Sequence, residues 1–325
     1  MAYHKKLMAR AKEVHQARVH TFDEREEARK ERLLAESPRL AEIDRQLSSL
    51  SFRMARAALS GKKEDILRIR ESAEELYSRQ EEILAELGKD RNALRPHYLC
   101  NICEDAGTHN DGSPCECLIK LYVKEMEKKY AFYLGDASFS NFSFDLYSEI
   151  NNPLYHTSPR ISVDFVYDQC LDFAGGFQPG RSTGIYLHGG CGVGKSFLAA
   201  AAAREVMKKG YYVHCISAIE MFSIQDRVRF GHCTEEETDD LNACFDCDFL
   251  VLDDLGAEYG SPQNTPFLAR LLNERLALKK SVMIVSTLRP EELAARYSPQ
   301  VESRIAGTLI DLLLVGDDLR KTEGN

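Results

Sequence analysis

One eight-residue stretch, Gly189-Gly190-Cys191-Gly192-Val193-Gly194-Lys195-Ser196, constrains this 325-residue chain more than any other, because it fits G-x-x-x-x-G-K-[ST]. Its glycines permit a turn whose backbone N–H groups point inward around phosphate oxygens, and the N-terminus of a following helix adds partial positive charge. The motif is informative only between a strand and a helix. Ile185 to His188 is a short apolar run that predicts the strand, and the alanine-rich segment Lys195 to Lys209 predicts a helix able to pack closely on a sheet. In that setting Lys195 is expected to reach the β- and γ-phosphates of ATP and Ser196 to ligate Mg²⁺, with Gly189 to Gly194 and Phe197 forming the rest of the cradle.

A partner segment lies downstream. Phe249 to Asp253 predicts a central buried strand, four apolar residues ending in the two carboxylates Asp253 and Asp254. Asp253 is expected to hold magnesium or its water shell, and Asp254 to polarise an attacking water as general base. The plainer reading of each acid is a cap on the next turn. Tyr212 to Ser217, Val282 to Ser286 and Thr308 to Leu314 read as further strands separated by helical patterns, so the expected fold is α/β with a parallel sheet.

The N-terminal third differs in kind. Met1 to Arg95 is rich in Glu, Arg, Lys, Ala and Leu and has one proline and two glycines, which is helix composition. Apolar residues at Ile43, Leu47, Leu50 and Met54, resuming at Ile66, Ile69, Ala73, Leu76, Ile83 and Leu87 after a break at Ser60 and Gly61, predict an antiparallel hairpin with a coiled-coil seam. So narrow a stripe buries little surface, so it is expected to pair with a partner or with itself. A solvated arm is the alternative. Three segments follow: residues 1–95 helical, 96–130 cysteine-rich with a linker helix, and 131–325 the nucleotide-binding domain, opened by Phe132, Phe139, Phe142, Phe144 and Tyr147.

Four of the ten cysteines, Cys100, Cys103, Cys115 and Cys117, form C-x2-C…C-x-C within eighteen residues. Four thiolates at that spacing can surround a structural Zn²⁺ tetrahedrally, and the metal would stand in for the core that so short a module lacks. Because the closing C-x-C is tight, His97 and His109 stay open as substitutes for one sulfur. Cys244 and Cys247 precede a buried strand and read as core or loop thiols.

The longest apolar runs, Ala199 to Ala203 and Leu309 to Val315, are far shorter than the roughly 20 residues of a membrane-spanning helix. The basic start, Met1 to Arg10, runs into charged helix rather than an apolar leader, so a cytoplasmic protein is expected. Net charge is −9, yet Met1 to Arg95 carries 21 Lys and Arg against 18 Asp and Glu, so only local basic patches could attract nucleic acid.

The P-loop, "FLVLDDLGAE" (Phe249 to Glu258), "LRPEELAARYSPQVESRIAG" (Leu288 to Gly307) and "GDDLRK" (Gly316 to Lys321) together resemble the AAA+ ATPases of the DnaC/DnaI replicative helicase-loader family. The related IstB transposition helpers share much of the pattern. The resemblance runs from about Phe139 to Lys321, and "FSNFSFDLYS" (Phe139 to Ser148) is similar to the aromatic segment ahead of the loader core. It implies an arginine finger at Arg304 reaching a neighbouring subunit's γ-phosphate, a second sensor at Arg320 acting within its own subunit, and a first sensor at Thr287. There this chain has Ser286-Thr287 where relatives end a polar pair in Asn. The resemblance further implies a homo-oligomer in the ATP state. It also implies a grip on a hexameric replicative helicase through the N-terminal region, and an extra helix for single-stranded DNA at Ser223 to Asp240, where Arg227, Arg229 and Phe230 supply charge and an aromatic ring. The expected function is ATP-dependent helicase loading. The alternatives are a transposition helper ATPase and a non-catalytic ATP-binding zinc adaptor.

Overall fold

The computed structural model describes residues 3–59, 63–181 and 183–321. In chain order the elements are α1 (Lys5–Glu36), α2 (Pro38–Leu59), α3 (Lys63–Glu86), α4 (Glu116–Lys129), α5 (Ala131–Leu134), α6 (Pro159–Gly175), β1 (Ile185–Gly189), α7 (Lys195–Lys208), β2 (Val213–Ser217), α8 (Ala218–Arg229) and α9 (Glu235–Asp246). They continue through β3 (Phe249–Leu255), α10 (Asn264–Ala277), β4 (Ser281–Ser286), α11 (Pro290–Arg296), α12 (Pro299–Ala306) and β5 (Ile310–Leu314). The chain divides into two compact units, one of residues 1–12 with 118–325 and the other of residues 13–117.

The larger unit is built on a five-stranded sheet of order β2-β3-β4-β1-β5, every pairing parallel. Each strand expected from the sequence is present, with ends within two residues. β3 is apolar on both faces because both are covered. Phe249 packs against Phe173 and Phe177 on the α6 side, while Leu250 and Leu252 join Met221, Leu268, Leu271 and Val301 on the side of α8, α10 and α12. α7 lies on the sheet through Ala199 to Ala203, all buried, whose small side chains let helix and sheet approach closely. β4 between β1 and β3 sets the P-loop strand and the acidic strand two positions apart, so the site forms across the carboxyl ends of the strands.

The register between β3 and β4 slips after Leu252, which faces Ile284, so that Leu255 faces Ser286. That is one extra residue on β3, a bulge, with Asp254 in the left-handed region at φ 54°. Uninterrupted alternation would send Asp253 and Asp254 to opposite faces; the bulge re-aims them.

The first twelve residues belong to this larger unit, whereas the sequence reading places them with the helical segment. Leu7, Met8 and Ala11 are buried. The His4 backbone N–H donates to the Tyr122 hydroxyl at 3.0 Å, and Lys6 pairs with Asp239 at 2.6 Å.

In the smaller unit α2 and α3 pack antiparallel around Leu40, Ile43, Leu47, Ile83 and Leu84, the seam expected from the apolar spacing. The expected break at Ser60 and Gly61 lies outside the described residues. The region nevertheless holds three helices rather than a hairpin alone. The C-terminal half of α1 has no sustained apolar stripe and is tied down by charge: Lys30 pairs with Asp44 at 2.7 Å, Lys89 with Glu36 at 2.9 Å, and Arg29 donates to the Ala93 carbonyl.

Candidate nucleotide site and cysteine centre

The loop between β1 and α7 is shaped by contacts that only glycine tolerates. Gly194, at φ 97°, opens α7, and a Cβ there would stand 2.4 Å from the Tyr147 hydroxyl oxygen. Gly192, at φ 72°, would put a Cβ 1.7 Å from Asp318 Oδ1. Those two neighbours hold the loop from opposite ends of the domain. The Tyr147 hydroxyl donates to the Val193 carbonyl at 2.9 Å, and Leu319 N–H donates to the Gly192 carbonyl at 3.0 Å. Tyr147 belongs to an aromatic group with Phe142, Phe144, Tyr167 and Phe197, so the segment before the core braces the loop from behind.

Lys195 is buried, and its ammonium donates to the Gly189 and Gly190 carbonyls at 3.0 and 2.5 Å. Burial lowers its pKa, a tendency the charges of Cys191, Asp253 and Asp254 oppose. Ser196 donates through Oγ to Asp253 Oδ1 at 3.2 Å, and the same oxygen accepts the Asp254 N–H at 2.8 Å. Burial, then the neighbouring Asp254 charge, pushes the Asp253 carboxyl up, against the hydrogen bonds it accepts. Asp254 is exposed. This set fits a magnesium nucleotide: a glycine loop opening a helix, a buried ammonium, a hydroxyl and a carboxylate already in contact, and a second carboxylate open to water.

Of the remaining expected residues, Arg320 lies at the site and Arg304 does not. Arg320, on the turn Leu319–Lys321, donates through Nε to Asp318 Oδ1 at 3.0 Å, beside Gly192, and is close enough to lower the Lys195 pKa. Arg304 is exposed on α12 and makes no ion pair or hydrogen bond with a described residue. Thr287 is exposed after β4; its neighbour Ser286 is buried and donates to the Leu255 carbonyl at 2.6 Å, tying β4 to the end of β3. In the segment expected to meet DNA, Arg227 is occupied by Glu220 at 3.2 Å and Glu237 at 2.9 Å, and Arg229 lies over the Phe230 ring at 5.6 Å.

Two site residues are given no task by the motifs, although Glu258 ends the quoted Phe249–Glu258 segment. Tyr133 is half-buried, with its hydroxyl enclosed beside the Asp253 carboxylate, its foremost neighbouring charge. Glu258, buried, accepts from Tyr297 Oη at 2.6 Å and pairs with Arg296 at 3.2 Å, so the loop after β3 is fastened to the helix preceding α12. Nothing local in sequence gives the partners of either, because they lie far along the chain.

In the smaller unit the sulfurs of Cys100, Cys103, Cys115 and Cys117 all lie within 4.8 Å of one another, spacing that fits one tetrahedral ion. A hairpin presents them: Thr108 bridges Pro114, and Cys115 N–H donates to the Gly107 carbonyl at 2.9 Å. Asp105 accepts the N–H groups of Leu99 and Cys100 at 2.9 and 2.8 Å, fixing the first knuckle. Backbone N–H groups of Cys103 and Ile102 hold the Cys100 thiol down to about 7, whereas burial raises Cys103 and Cys117. His97 pairs with Glu26 at 3.1 Å instead, and neither it nor His109 joins the group. The histidine beside the sulfurs is His15 of α1, with Nε2 3.7 Å from Cys117 Sγ, placed there by packing no local motif announces. Cys244 and Cys247 are buried: Arg275, fully buried, donates to both their carbonyls, at 2.7 and 3.2 Å.

A glycine loop between a parallel strand and a helix, facing a carboxylate at the end of another strand, defines a P-loop nucleotide-binding domain of α/β class. Residues 179–320 match the model of the family of IstB-like ATP binding proteins. The chain is 29% identical to the replicative helicase loader DnaI of Bacillus subtilis over 140 residues, 41% of this chain and 42% of that one. It is 25% identical to the replicative helicase loader DnaC of Escherichia coli K12 over 127 residues, 39% of this chain and 51% of the relative. The chain thus spans about half the length of the curated relatives it matches. A crystal structure of the DnaC helicase loader aligns with 56% of this chain and 98% of its own at 20% identity and a TM-score of 0.45. Among the described residues, no helix is long and apolar enough to cross a membrane.

Proposed function

We propose that this chain is a cytoplasmic, ATP-dependent loader of a hexameric replicative DNA helicase that binds and hydrolyses ATP at the boundary between subunits of its own oligomer. One observation carries the nucleotide half: the Ser196 hydroxyl meets the buried Asp253 carboxylate at the mouth of a glycine loop. The loader half draws on the resemblance to proteins named as loaders. In this reading residues 131–325 are the motor, and the helices of 1–95 with the cysteine module of 96–130 are the grip.

Each residue then has a task. Lys195 leaves the Gly189 and Gly190 carbonyls for the β- and γ-phosphates, and Ser196 and Asp253 hold magnesium, which when bound neutralises phosphate charge. Asp254, open to water at the end of β3, orients and deprotonates the attacking water, with Thr287 as a second polar contact. Arg320 reads the nucleotide from its own subunit. Arg304, exposed and unpaired among the described residues, reaches the γ-phosphate of the next subunit. The four cysteines hold zinc as a structural centre.

The decisive experiment is copurification of the full chain with the replicative helicase of its cell, in ATP and after Lys195→Ala. ATP-dependent recovery of the helicase that Lys195→Ala abolishes is expected. Recovery of a transposase without helicase would transfer the chain to the helper class, and full partner function in Lys195→Ala would make it a non-catalytic adaptor.

A further inference from the structure

The α2–α3 hairpin carries a basic cavity that the nucleotide chemistry does not use. Between Asp44 and Glu64 the sequence has five Lys and Arg and no acidic residue, in a chain whose net charge is −9. Between the two helices lies a cavity of about 390 Å³, rimmed by Arg53, Arg56 and Arg68, floored by Ala57 and Ile69, with Asp65 as its single acid. The side chains of Arg53 and Arg68 are exposed and make no ion pair or hydrogen bond with a described residue. Beside Arg53, Phe52 is 85% exposed. Exposed arginines on this protein's helices are commonly answered by an acid three or four residues away, as Arg45 is by Glu42 and Arg79 by Glu75. Arg53 has no acid at either distance, and Arg68 pairs with none of Glu64, Asp65 and Glu71, which stand three or four residues from it.

We propose that this cavity is a binding site for single-stranded nucleic acid, with backbone phosphates held by Arg53, Arg56 and Arg68 and a flanking base stacked on Phe52. Guanidinium forks match phosphate oxygens in geometry as well as charge, and three against one carboxylate leave room for more than one negative charge. A phosphodiester strand supplies negative charge at every nucleotide and a π-face beside it, the two things the rim and Phe52 offer. Arg227, in the segment that resemblance assigns to DNA, is by contrast already neutralised by Glu220 and Glu237. The site does not depend on which partner the ATPase serves.

The test is fluorescence anisotropy of the full chain with a fluorescein-labelled dT20 across a salt series. Replacing two arginines in Arg53→Gln/Arg68→Gln should weaken binding about tenfold or more at 0.1 M salt. It should also flatten the slope of log K against log salt by about 1.4, two phosphate contacts on a single strand. Phe52→Ala should weaken binding by about fivefold or more with the slope unchanged. All three side chains are exposed, so unchanged circular dichroism is expected to accompany these losses. Absence of dT20 binding by the parent chain, or equal affinity and slope in parent and double variant, overturns the proposal. So does loss confined to a companion Arg229→Ala. Selective loss of polyglutamate binding with dT20 binding unaltered would assign the cavity to an acidic polypeptide and equally overturn it.

Discussion

Asp253→Asn should make the nucleotide-free protein more stable while removing its catalysis. Asp253 is buried, and burial together with the Asp254 charge raises its pKa, so the folded state holds the proton more tightly than the unfolded chain does. Stability from this group is present below the ordinary carboxylate pKa and is lost as pH rises through the raised one, so at neutral pH the ionised carboxylate is a net burden on the fold. Asparagine keeps an oxygen to accept the Ser196 hydroxyl and the Asp254 N–H without carrying a charge into the buried site. Relief of a functionally imposed strain of this kind is worth about 1 kcal/mol. For a domain near 200 residues that is a rise in Tm of about 2–4 °C. Thermal melts in EDTA at pH 7.5 should show the increase, and melts at pH 4 should show a smaller one. Magnesium and ATP should then stabilise the parent more than the variant, and phosphate release should fall by about 10²-fold or more. A variant that melts below the parent in EDTA, or that keeps parental turnover, would refute the account of Asp253.

Gly194→Ala should abolish binding of a fluorescent ATP analogue, since its Cβ would overlap the Tyr147 hydroxyl at a φ of 97°, a conformation costing a non-glycine residue about 1–2 kcal/mol even without the overlap. Arg304→Ala should leave nucleotide affinity unchanged and cut hydrolysis by about 10³-fold; mixing it with Lys195→Ala should restore activity, because each lacks what the other supplies, and failure of the mixture to recover would remove Arg304 from the neighbour's site. Metal analysis should find one zinc per chain, lost with Cys103→Ser, and prolonged chelation should unfold residues 96–117 as read by protease sensitivity; a fully folded, metal-free module would contradict the reading of the four sulfurs.

What could be read in advance divides along physical lines. The sheet, the P-loop and the cysteine spacing depend on residues close in sequence, where periodicity and motif geometry act, and all five strands stand where expected. The α2–α3 seam was equally plain, because Ile43, Leu47 and Ile83 repeat at helical spacing. α1 falls in the segment read as helical from composition, but its place beside the α2–α3 hairpin is not marked, because charge pairs rather than an apolar stripe fasten its C-terminal half. His15 and Tyr133 have no local mark, and Asp318 and Glu258 lie within quoted motifs that assign them no task, because each matters through a contact made by tertiary packing. The bulge at Asp254 belongs to the same class, being a property of β3 against β4.

The sheet-bearing unit draws its residues from two separated stretches, 1–12 and 118–325. The smaller unit is therefore an insertion, entered and left by covalent crossings at both of its ends. No single cut separates the two. A truncated chain beginning at Leu118 would keep every residue of the P-loop yet strip the cover from Tyr122 and Tyr212, leaving aromatic surface to water. Such a fragment should aggregate, and its poor behaviour would say nothing about the motor itself. Supplying residues 1–12 as a separate peptide, or joining them to Leu118 through a short flexible linker, is the route to an ATPase unit that can be handled alone.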